Sequence, residues 1–281
     1  MSPYIQSLRL RTLPLSVSGI ILGTGLAGFL DVWTFALAVC TTLSLQILSN
    51  LCNELGDAQK GTDADQKGRA AYGLQAGTIT VPQMKRMIVL FIGLSILFGT
   101  ALVWTAFGTL LCAQSLVFLG LGALAIVGAI TYTLGSHSYG YMGLGDLGVF
   151  LFFGLLSTMG AYYLQTQTMT GEVCWCGVAI GLPCVGVLNL NNIRDMEHDV
   201  MHGKHTLASR LGPVGARAYH CLLLFCCLLI FILTGHYWVG GVVPVWAWHI
   251  RYVGMQPTEK LDKQMPVLMF TTLAVALLAL L

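Results

Sequence analysis

Long apolar runs recur along the whole chain, separated by short segments that hold the polar and charged residues. A run of about 17–23 mostly apolar residues can cross the hydrocarbon core of a bilayer as an α-helix. The pattern therefore predicts about nine transmembrane helices, at residues 13–30, 32–50, 87–107, 109–131, 143–165, 173–191, 216–235, 236–250 and 265–281. The run at 236–250 is short, so a re-entrant or strongly tilted segment is an alternative there.

Composition supports the same fold class. Only 9% of the 281 residues are charged, whereas soluble domains carry roughly 25%. A surface with so few charges suits lipid rather than water, and we predict an all-α integral membrane bundle in a single domain over residues 1–281. The first run follows Arg9 and Arg11, as in a signal peptide, but it lacks a clear cleavage site and another apolar run follows at once. The net charge of +2 gives no reason to expect a nucleic-acid partner.

The basic residues all fall on one side of this topology. If the N-terminus is cytoplasmic, the segments after the second, fourth, sixth and eighth runs are cytoplasmic too. All 14 Lys and Arg residues precede the first run, lie in these segments or, for Arg217, stand at the cytoplasmic start of the seventh run: Arg9, Arg11, Lys60, Lys67, Arg69, Lys85, Arg86, Arg194, Lys204, Arg210, Arg217, Arg251, Lys260 and Lys263. This distribution follows the positive-inside rule and predicts that the N-terminus and the polar loops are cytoplasmic.

Two of the predicted cytoplasmic loops begin with the same pattern, N-x-x-[N/D]-x-x-x-D-x-x-x-G. Its members are Asn50, Asn53, Asp57 and Gly61 in the first copy and Asn192, Asp195, Asp199 and Gly203 in the second. Positions i, i+3 and i+7 share one side of a helix, so both copies are expected to project oxygen ligands into one space. Facing carboxylates repel unless a cation lies between them, and Mg²⁺ is held by carboxylates together with substrate phosphate oxygens. The pattern predicts a Mg²⁺ site for an anionic ligand.

Several residues in these loops allow two interpretations. Single Asp residues at helix ends often only solvate a loop, although duplication of the whole pattern favours a shared site. Lys67, Arg69, Arg194, Lys204 and Arg210 would complement an anion, and each could equally be a positive-inside anchor. His198, His202 and His205 have a spacing that a transition metal could use. They lie at other helical angles than the Asp residues, and we interpret them as solvated loop histidines.

A third loop on the same face, residues 131–146, contains Tyr132, Tyr139 and Tyr141 but no Lys or Arg. Tyrosine is common at membrane interfaces and needs no function there. Because this loop lies on the same face as both acidic copies, its aromatic rings could also border a pocket.

These segments resemble the UbiA-type superfamily of membrane aromatic prenyltransferases. The resemblance covers nearly the whole chain, including RTLP at residues 11–14, GTD at 61–63, YGYMGLGD at 139–146 and NNIRDMEHDVMHGKHTLASRLG at 191–212. Within the superfamily, the chain most resembles the branch that prenylates 1,4-dihydroxy-2-naphthoate. Three positions depart from the usual patterns: Glu54 stands where Asp is more frequent, Gly61 where the 4-hydroxybenzoate branch has Asp, and Ser138 where Pro is common.

The resemblance implies the roles of particular residues. The metal ligands would be Asn53, Asp57, Asp63, Asp195 and Asp199, and Mg²⁺ would be the cofactor. Polyprenyl diphosphate would be bound with help from Asn50, Asn53, Lys67, Arg69, Asn192, Arg194 and Lys204. Tyr132 and Tyr139 would face the allylic cation that forms beside Asp57, Asp195 and Asp199, and Arg11 would pair with the aromatic acceptor.

The implied reaction transfers a polyprenyl group to dihydroxynaphthoate with loss of CO₂, giving demethylmenaquinone at the bacterial cytoplasmic (inner) membrane. Another acceptor, 4-hydroxybenzoate or homogentisate, remains an alternative. A cation-coupled transporter fits less well, because transporter sites usually lie near mid-bilayer and both acidic copies lie at one face.

Overall fold

Residues 3–61 and 73–281 are described by a computed structural model, and every regular element within them is a helix. The principal helices are α1 (Leu13–Leu26), α2 (Val32–Lys60), α3 (Val81–Phe107), α4 (Ala113–Thr131), α5 (Gly145–Thr166), α6 (Gly171–Arg194), α7 (Leu207–Leu233), α8 (Val243–Met255) and α9 (Gln264–Leu278). Short helices at Pro3–Ser7, Leu10–Thr12, Met196–Met201, Tyr237–Val242 and Thr258–Lys263 lie before or between them.

Seven of these helices are long and apolar enough to cross a membrane. They are α2 to α7, and α9 together with the turn before it. The all-α membrane class is therefore confirmed, while the predicted count of about nine spans is not. The helices in the first and eighth predicted runs, α1 and α8, have only 14 and 13 residues. Helix α1 ends early because Gly28 and Phe29 turn the chain with positive φ. The run predicted at 236–250 begins as a 3₁₀ turn, and α8 starts only beside Pro244.

Helix α2 extends well beyond the predicted end at residue 50. It reaches Lys60 and ends at Gly61, whose left-handed φ of 72° lets its N–H bond back to the Asp57 carbonyl. Asn53 and Asp57 therefore lie on the last turns of a helix. The second acidic copy is different, because α6 ends at Arg194 and a separate short helix begins at Met196. Asp195 lies at this break.

Helix α6 forms the centre of the bundle and packs against α1, α5, α7 and α9. Small residues allow the closest approach: a Cβ on Gly154 of α5 would lie 2.6 Å from the Gly181 Cα of α6. Helix α4 lies at the periphery, and few of its residues are buried. On the far side of α2, a second apolar cluster that includes Leu48, Leu51 and Met84 joins α2 to α3.

A buried polar chain joins the last three helices. His220 Nε2 on α7 lies 2.9 Å from His249 Nε2 on α8, and His249 Nδ1 lies 2.7 Å from Gln264 Oε1 at the start of α9. All three side chains are buried. This series of buried polar contacts fixes the position at which α9 begins. It thereby also fixes the turn Thr258–Lys263, which precedes α9.

Candidate active site

A cavity of about 360 Å³ lies among α1, α2, α4, α5 and α6, with further wall residues from α3 and α9. Its polar end is lined by residues from the two acidic copies, the N-terminal segment and the loop after α6: Arg9, Arg11, Asn50, Asn53, Asp57, Asn191, Asp195, Asp199 and Lys204. The rest of the wall is mainly apolar. Ala38 and Asp57 both line it and lie 19 residues apart on α2, which is roughly 28 Å of helix. A charged head and a long apolar tail could therefore occupy one cavity.

Asp57 is held by the tyrosine-rich loop. Tyr141 Oη donates to Asp57 Oδ1 at 2.8 Å. Lys60, one turn further along α2, places its Nζ 3.6 Å from the centre of the Tyr141 ring. The same Nζ donates to the Thr133 carbonyl at 2.8 Å and to Ser138 Oγ. The loop is thus fastened to α2 through Tyr141 and Lys60, and Ser138 supplies an acceptor that the more common Pro lacks.

Asp195 is clamped by its neighbour Arg194. The guanidinium Nε and Nη2 donate to the two carboxylate oxygens at 2.7 and 2.6 Å. Nη2 also donates to Asn191 Oδ1 at 2.7 Å, and Nη1 donates to Asp262 in the turn before α9 and lies 3.6 Å from Met265 Sδ. Arg194 is only 6% exposed and does not line the cavity. It was predicted to bind substrate, but protein groups already accept from its N–H groups, so its visible role is to orient Asp195.

Asp199 and Lys204 form a buried ion pair, with Nζ 3.0 Å from Oδ2. Burial raises the pKa of Asp199 to about 6; Lys204 opposes this rise, and the nearby Asp195 and Asp57 carboxylates add to it. Burial alone would lower the pKa of Lys204, but Asp199, Asp57 and Asp195 outweigh it and leave that pKa raised. The Asp57 and Asp195 carboxylates therefore lie close enough to disfavour the ionised form of Asp199, and Lys204 carries its positive charge at the cavity wall.

The fit of a Mg²⁺ ion can be judged from these donors. Across the described part of the chain, no three His, Cys, Asp or Glu side chains form a ready-made metal cluster. Each carboxylate has its own protein partner instead: Tyr141, Arg194 or Lys204. Mg²⁺ is commonly held by one or two carboxylates plus substrate phosphates rather than by an all-protein cage. The buried Asn53 Oδ1 has no hydrogen-bond partner among the described residues. This oxygen donor set fits Mg²⁺ that binds together with a diphosphate.

Other predicted site residues lie in different surroundings. Asn50 is buried at the cavity wall and ties down the N-terminal segment, donating to the Leu8 carbonyl at 2.9 Å and to Thr12 Oγ1 at 3.1 Å. Asn192 is buried outside the cavity wall, and Asn191 lines the wall in its place. One residue turns a helix by about 100°, so Asn191 faces the cavity and Asn192 does not; Asp195, just after the end of α6, also lines the cavity. Asp63, Lys67 and Arg69 lie outside the described residues.

Tyr132 and Tyr139 both line the cavity, with ring centres 5.2 Å apart in a T-shaped arrangement. Tyr139 Oη donates to the Gly128 carbonyl at 3.1 Å. Burial raises the pKa of Tyr139 to about 12 and raises that of Tyr132 as well. Both phenols are therefore neutral, and both rings form part of the cavity wall.

Some residues at the site were missed or interpreted differently from sequence. Lys60 was assigned only to the charge pattern, and Tyr141 was named only as one of the loop tyrosines that could border a pocket. No pattern in the sequence around Asp262 predicts a role at the site. Only the folding of α9 brings Asp262 to Arg194 and within 3.6 Å of Arg11. The carboxylate of Glu54 points away from the cavity and accepts from Ser7 Oγ and the Leu74 N–H.

The predicted loop histidines are only partly solvated. The rings of His198 and His202 lie 4.3 Å apart and both are half-buried, whereas His205 is exposed. The expectation of three solvated histidines therefore holds for His205 alone.

Comparison with known proteins gives consistent likenesses. Residues 13–274 match the model of the UbiA prenyltransferase family. The 1,4-dihydroxy-2-naphthoate octaprenyltransferase of Escherichia coli is 45% identical over 251 residues, which cover 87% of this chain and 79% of that protein. The Haemophilus influenzae protein of the same name is 39% identical over 269 residues, covering 90% and 87%.

Solved structures show the same fold. A UbiA homologue from Archaeoglobus fulgidus bound to GPP and Mg²⁺ has a TM-score of 0.67 at 13% identity and covers 99% of both chains. The apo UbiA homologue from Aeropyrum pernix K1 has a TM-score of 0.65 at 17% identity, covering 96% of this chain and 98% of that one. At such identities the likeness concerns the fold alone.

Proposed function

The chain belongs to the UbiA prenyltransferase family, and on that premise we propose that it transfers a polyprenyl group from polyprenyl diphosphate to 1,4-dihydroxy-2-naphthoate. The reaction releases CO₂ and gives demethylmenaquinone. The observation that carries this proposal is one cavity with three carboxylates and Lys204 at one end and an apolar wall along the rest. The relatives that are 45% and 39% identical, both named for this acceptor, support the choice of substrate.

In this mechanism, Asp57, Asp195, Asp199 and Asn53 would hold Mg²⁺, and the ion would supply positive charge against the leaving diphosphate. Lys204 adds a positive charge at the same place. The carbon–oxygen bond to diphosphate breaks and leaves an allylic cation, which the π faces of Tyr132 and Tyr139 stabilise by about 0.5–2 kcal/mol. The acceptor carbon that bears the carboxylate attacks this cation, and CO₂ leaves as aromaticity returns. Arg11 pairs with the acceptor carboxylate.

The acceptor can be tested by following the carboxylate. We expect the purified protein in lipid nanodiscs to release one CO₂ for each prenyl group that it adds to carboxyl-labelled 1,4-dihydroxy-2-naphthoate. A 4-hydroxybenzoate enzyme would retain its carboxylate, because that ring is attacked at a carbon bearing hydrogen. The measurement compares label in the gas and lipid fractions, with Asp57→Asn as the inactive control. Label found in the prenylated lipid would refute the assigned reaction.

We further propose that the chain crosses the bacterial inner membrane nine times, with α1 and α8 as short crossings and the acidic end in the cytoplasm. The distribution of basic residues supports this orientation. The opposite end is marked by exposed tryptophans at helix ends, namely Trp33 on α2, Trp104 on α3 and Trp175 on α6. Such aromatic residues are typical of a membrane–water interface.

This orientation predicts opposite labelling at two exposed glutamates, Glu172 at the start of α6 and Glu259 in the turn before α9. In a variant without the 9 native cysteines, Glu172→Cys should react with an impermeant thiol reagent in intact cells. Glu259→Cys should react only after permeabilisation, which also serves as the control for reactivity of both sites. Labelling of Glu259→Cys in intact cells, with protection of Glu172→Cys, would reverse the orientation.

A further inference from the structure

Besides Asn53, a second amide on the cavity face of α2 has a buried oxygen without a partner. Gln46 lines the cavity together with Asn50 and Asn53, and the spacing of i, i+4 and i+7 keeps the three on one side of the helix. Gln46 Oε1 is buried and has no hydrogen-bond partner among the described residues. Because a buried oxygen that lacks a donor is destabilising, its presence in a cavity wall indicates a ligand that donates to it.

The orientation of the Gln46 amide follows from hydrogen bonds that end at backbone carbonyls. Asn50 Nδ2 donates to the Leu8 carbonyl at 2.9 Å, which leaves Asn50 Oδ1 to accept from Gln46 Nε2 at 3.2 Å. Thr12 Oγ1 donates its proton to the Arg9 carbonyl at 3.0 Å. It can therefore only accept from Gln46 Nε2, at 3.0 Å. Both contacts require the NH₂ group of Gln46, so the oxygen without a partner is a hydrogen-bond acceptor.

Among the proposed ligands, only the aromatic acceptor has a donor near this oxygen. The prenyl chain is apolar, and the ionised diphosphate offers only acceptor oxygens. Water on Mg²⁺ could donate, but Asn53 and Asp57 lie 7 and 11 residues beyond Gln46 on α2, or roughly 10 and 17 Å along the helix. The aromatic acceptor carries phenolic hydroxyls. Its proposed carboxylate partner, Arg11, precedes Thr12, which accepts from Gln46.

We propose that Gln46 is a specificity-determining residue whose Oε1 accepts a hydrogen bond from a phenolic hydroxyl of the aromatic acceptor. The inference rests on the proposed function, because it places the acceptor carboxylate at Arg11. Two contacts then orient the ring: the guanidinium binds the carboxylate, and the Gln46 amide binds the hydroxyl. An aromatic acid without the hydroxyl would leave the buried oxygen unpaired, and sites of this kind discriminate strongly against such analogues.

The hydrogen bond can be tested by removing either of its partners. The ligands are labelled 2-naphthoate, 1-hydroxy-2-naphthoate and 4-hydroxy-2-naphthoate, and their dissociation constants are measured by equilibrium dialysis. The protein is in nanodiscs with Mg²⁺ and inorganic diphosphate, and empty nanodiscs correct for partition into lipid. In the wild-type protein, one of the two hydroxyls should tighten binding by about tenfold. In Gln46→Met, which keeps the length of the side chain and removes the oxygen, that gain should disappear.

The matched control is Ser49→Ala. Ser49 is another polar residue of the cavity wall on α2, one turn from Gln46, and its replacement should keep the tenfold gain. Gln46→Met also removes the N–H groups that bind Asn50 and Thr12. Binding of 2-naphthoate reports any resulting shift of the wall, whereas the gain from the hydroxyl reports the missing oxygen. Gln46→Asn, which withdraws the amide by one carbon, replaces Gln46→Met if that variant does not fold.

An equal gain in the wild-type protein and in Gln46→Met, or no gain from either hydroxyl in the wild-type protein, would overturn this role of Gln46. The dialysis requires no turnover, so an error in the proposed reaction would appear in the release of labelled CO₂ and not in these dissociation constants. If the protein prenylates 4-hydroxybenzoate instead, benzoate and 4-hydroxybenzoate form the pair of ligands that decides the same question.

Discussion

Replacing Asp57, Asp195 or Asp199 by Asn should lower the turnover number by at least about 10²-fold. Each substitution keeps the size of the side chain and removes a charge that acts on the leaving diphosphate through Mg²⁺. Removal of one preorganised electrostatic group at a reacting centre costs about 10²–10³-fold in rate. The measurement is prenyl transfer in nanodiscs at saturating substrates and Mg²⁺.

The matched control is Glu197→Gln. Glu197 is exposed on the short helix Met196–Met201, between two of the tested residues, and does not line the cavity. Its replacement should leave the rate unchanged. In the wild-type protein, EDTA should abolish turnover and added Mg²⁺ should restore it. Full activity in EDTA, or an Asp57→Asn variant as fast as wild type, would exclude the proposed use of the metal.

Arg194→Leu should destabilise the folded protein by about 3–5 kcal/mol and abolish activity. The Arg194 guanidinium is 6% exposed, and its removal leaves the Asp195 carboxylate, itself only 10% exposed, without its cation. Breaking a buried ion pair from one side has this magnitude because an uncompensated charge stays buried. The thermal midpoint of the purified protein reports the loss.

Two further arginine variants make this test specific. Arg194→Lys keeps the charge but cannot reproduce the two-pronged contact with Asp195, so an intermediate midpoint is expected. Arg210→Leu removes an exposed arginine whose side chain donates to the Met142 carbonyl, and it should change the midpoint little. Equal midpoints for Arg194→Leu and Arg210→Leu would show that the Arg194 contacts contribute nothing to stability.

The sequence predicts the helices and the chemistry of the polar end well, because both depend on local patterns. Apolar runs of bilayer length correspond to the helices, and the spacing of Asn53 and Asp57 identifies a face of α2. The prediction fails where the backbone departs from a continuous helix. The break at Asp195 separates the second copy into two helices, and Asn191 rather than Asn192 lies on the cavity face.

Other site residues could not be predicted, because only tertiary packing brings them together. Asp262 lies 68 residues from Arg194, and its position depends on α9, whose start is fixed by the buried His220, His249 and Gln264 chain. Tyr141 was one of three tyrosines in its loop, and nothing in the spacing favoured it over Tyr132 or Tyr139 as the partner of Asp57.

Each of the three carboxylates already has its own partner in the protein. For this reason, the binding of the metal and the binding of the diphosphate should depend on each other. Tyr141, Arg194 and Lys204 already satisfy Asp57, Asp195 and Asp199. In the proposed mechanism, Mg²⁺ alone would add two positive charges beside Lys204 and Arg194, and a diphosphate alone would face three carboxylates. Each ligand relieves the repulsion that the other meets. Thermodynamic linkage then requires that Mg²⁺ and diphosphate raise the affinity for one another by the same factor, commonly about 5–150-fold. Mg²⁺ and diphosphate should therefore bind together.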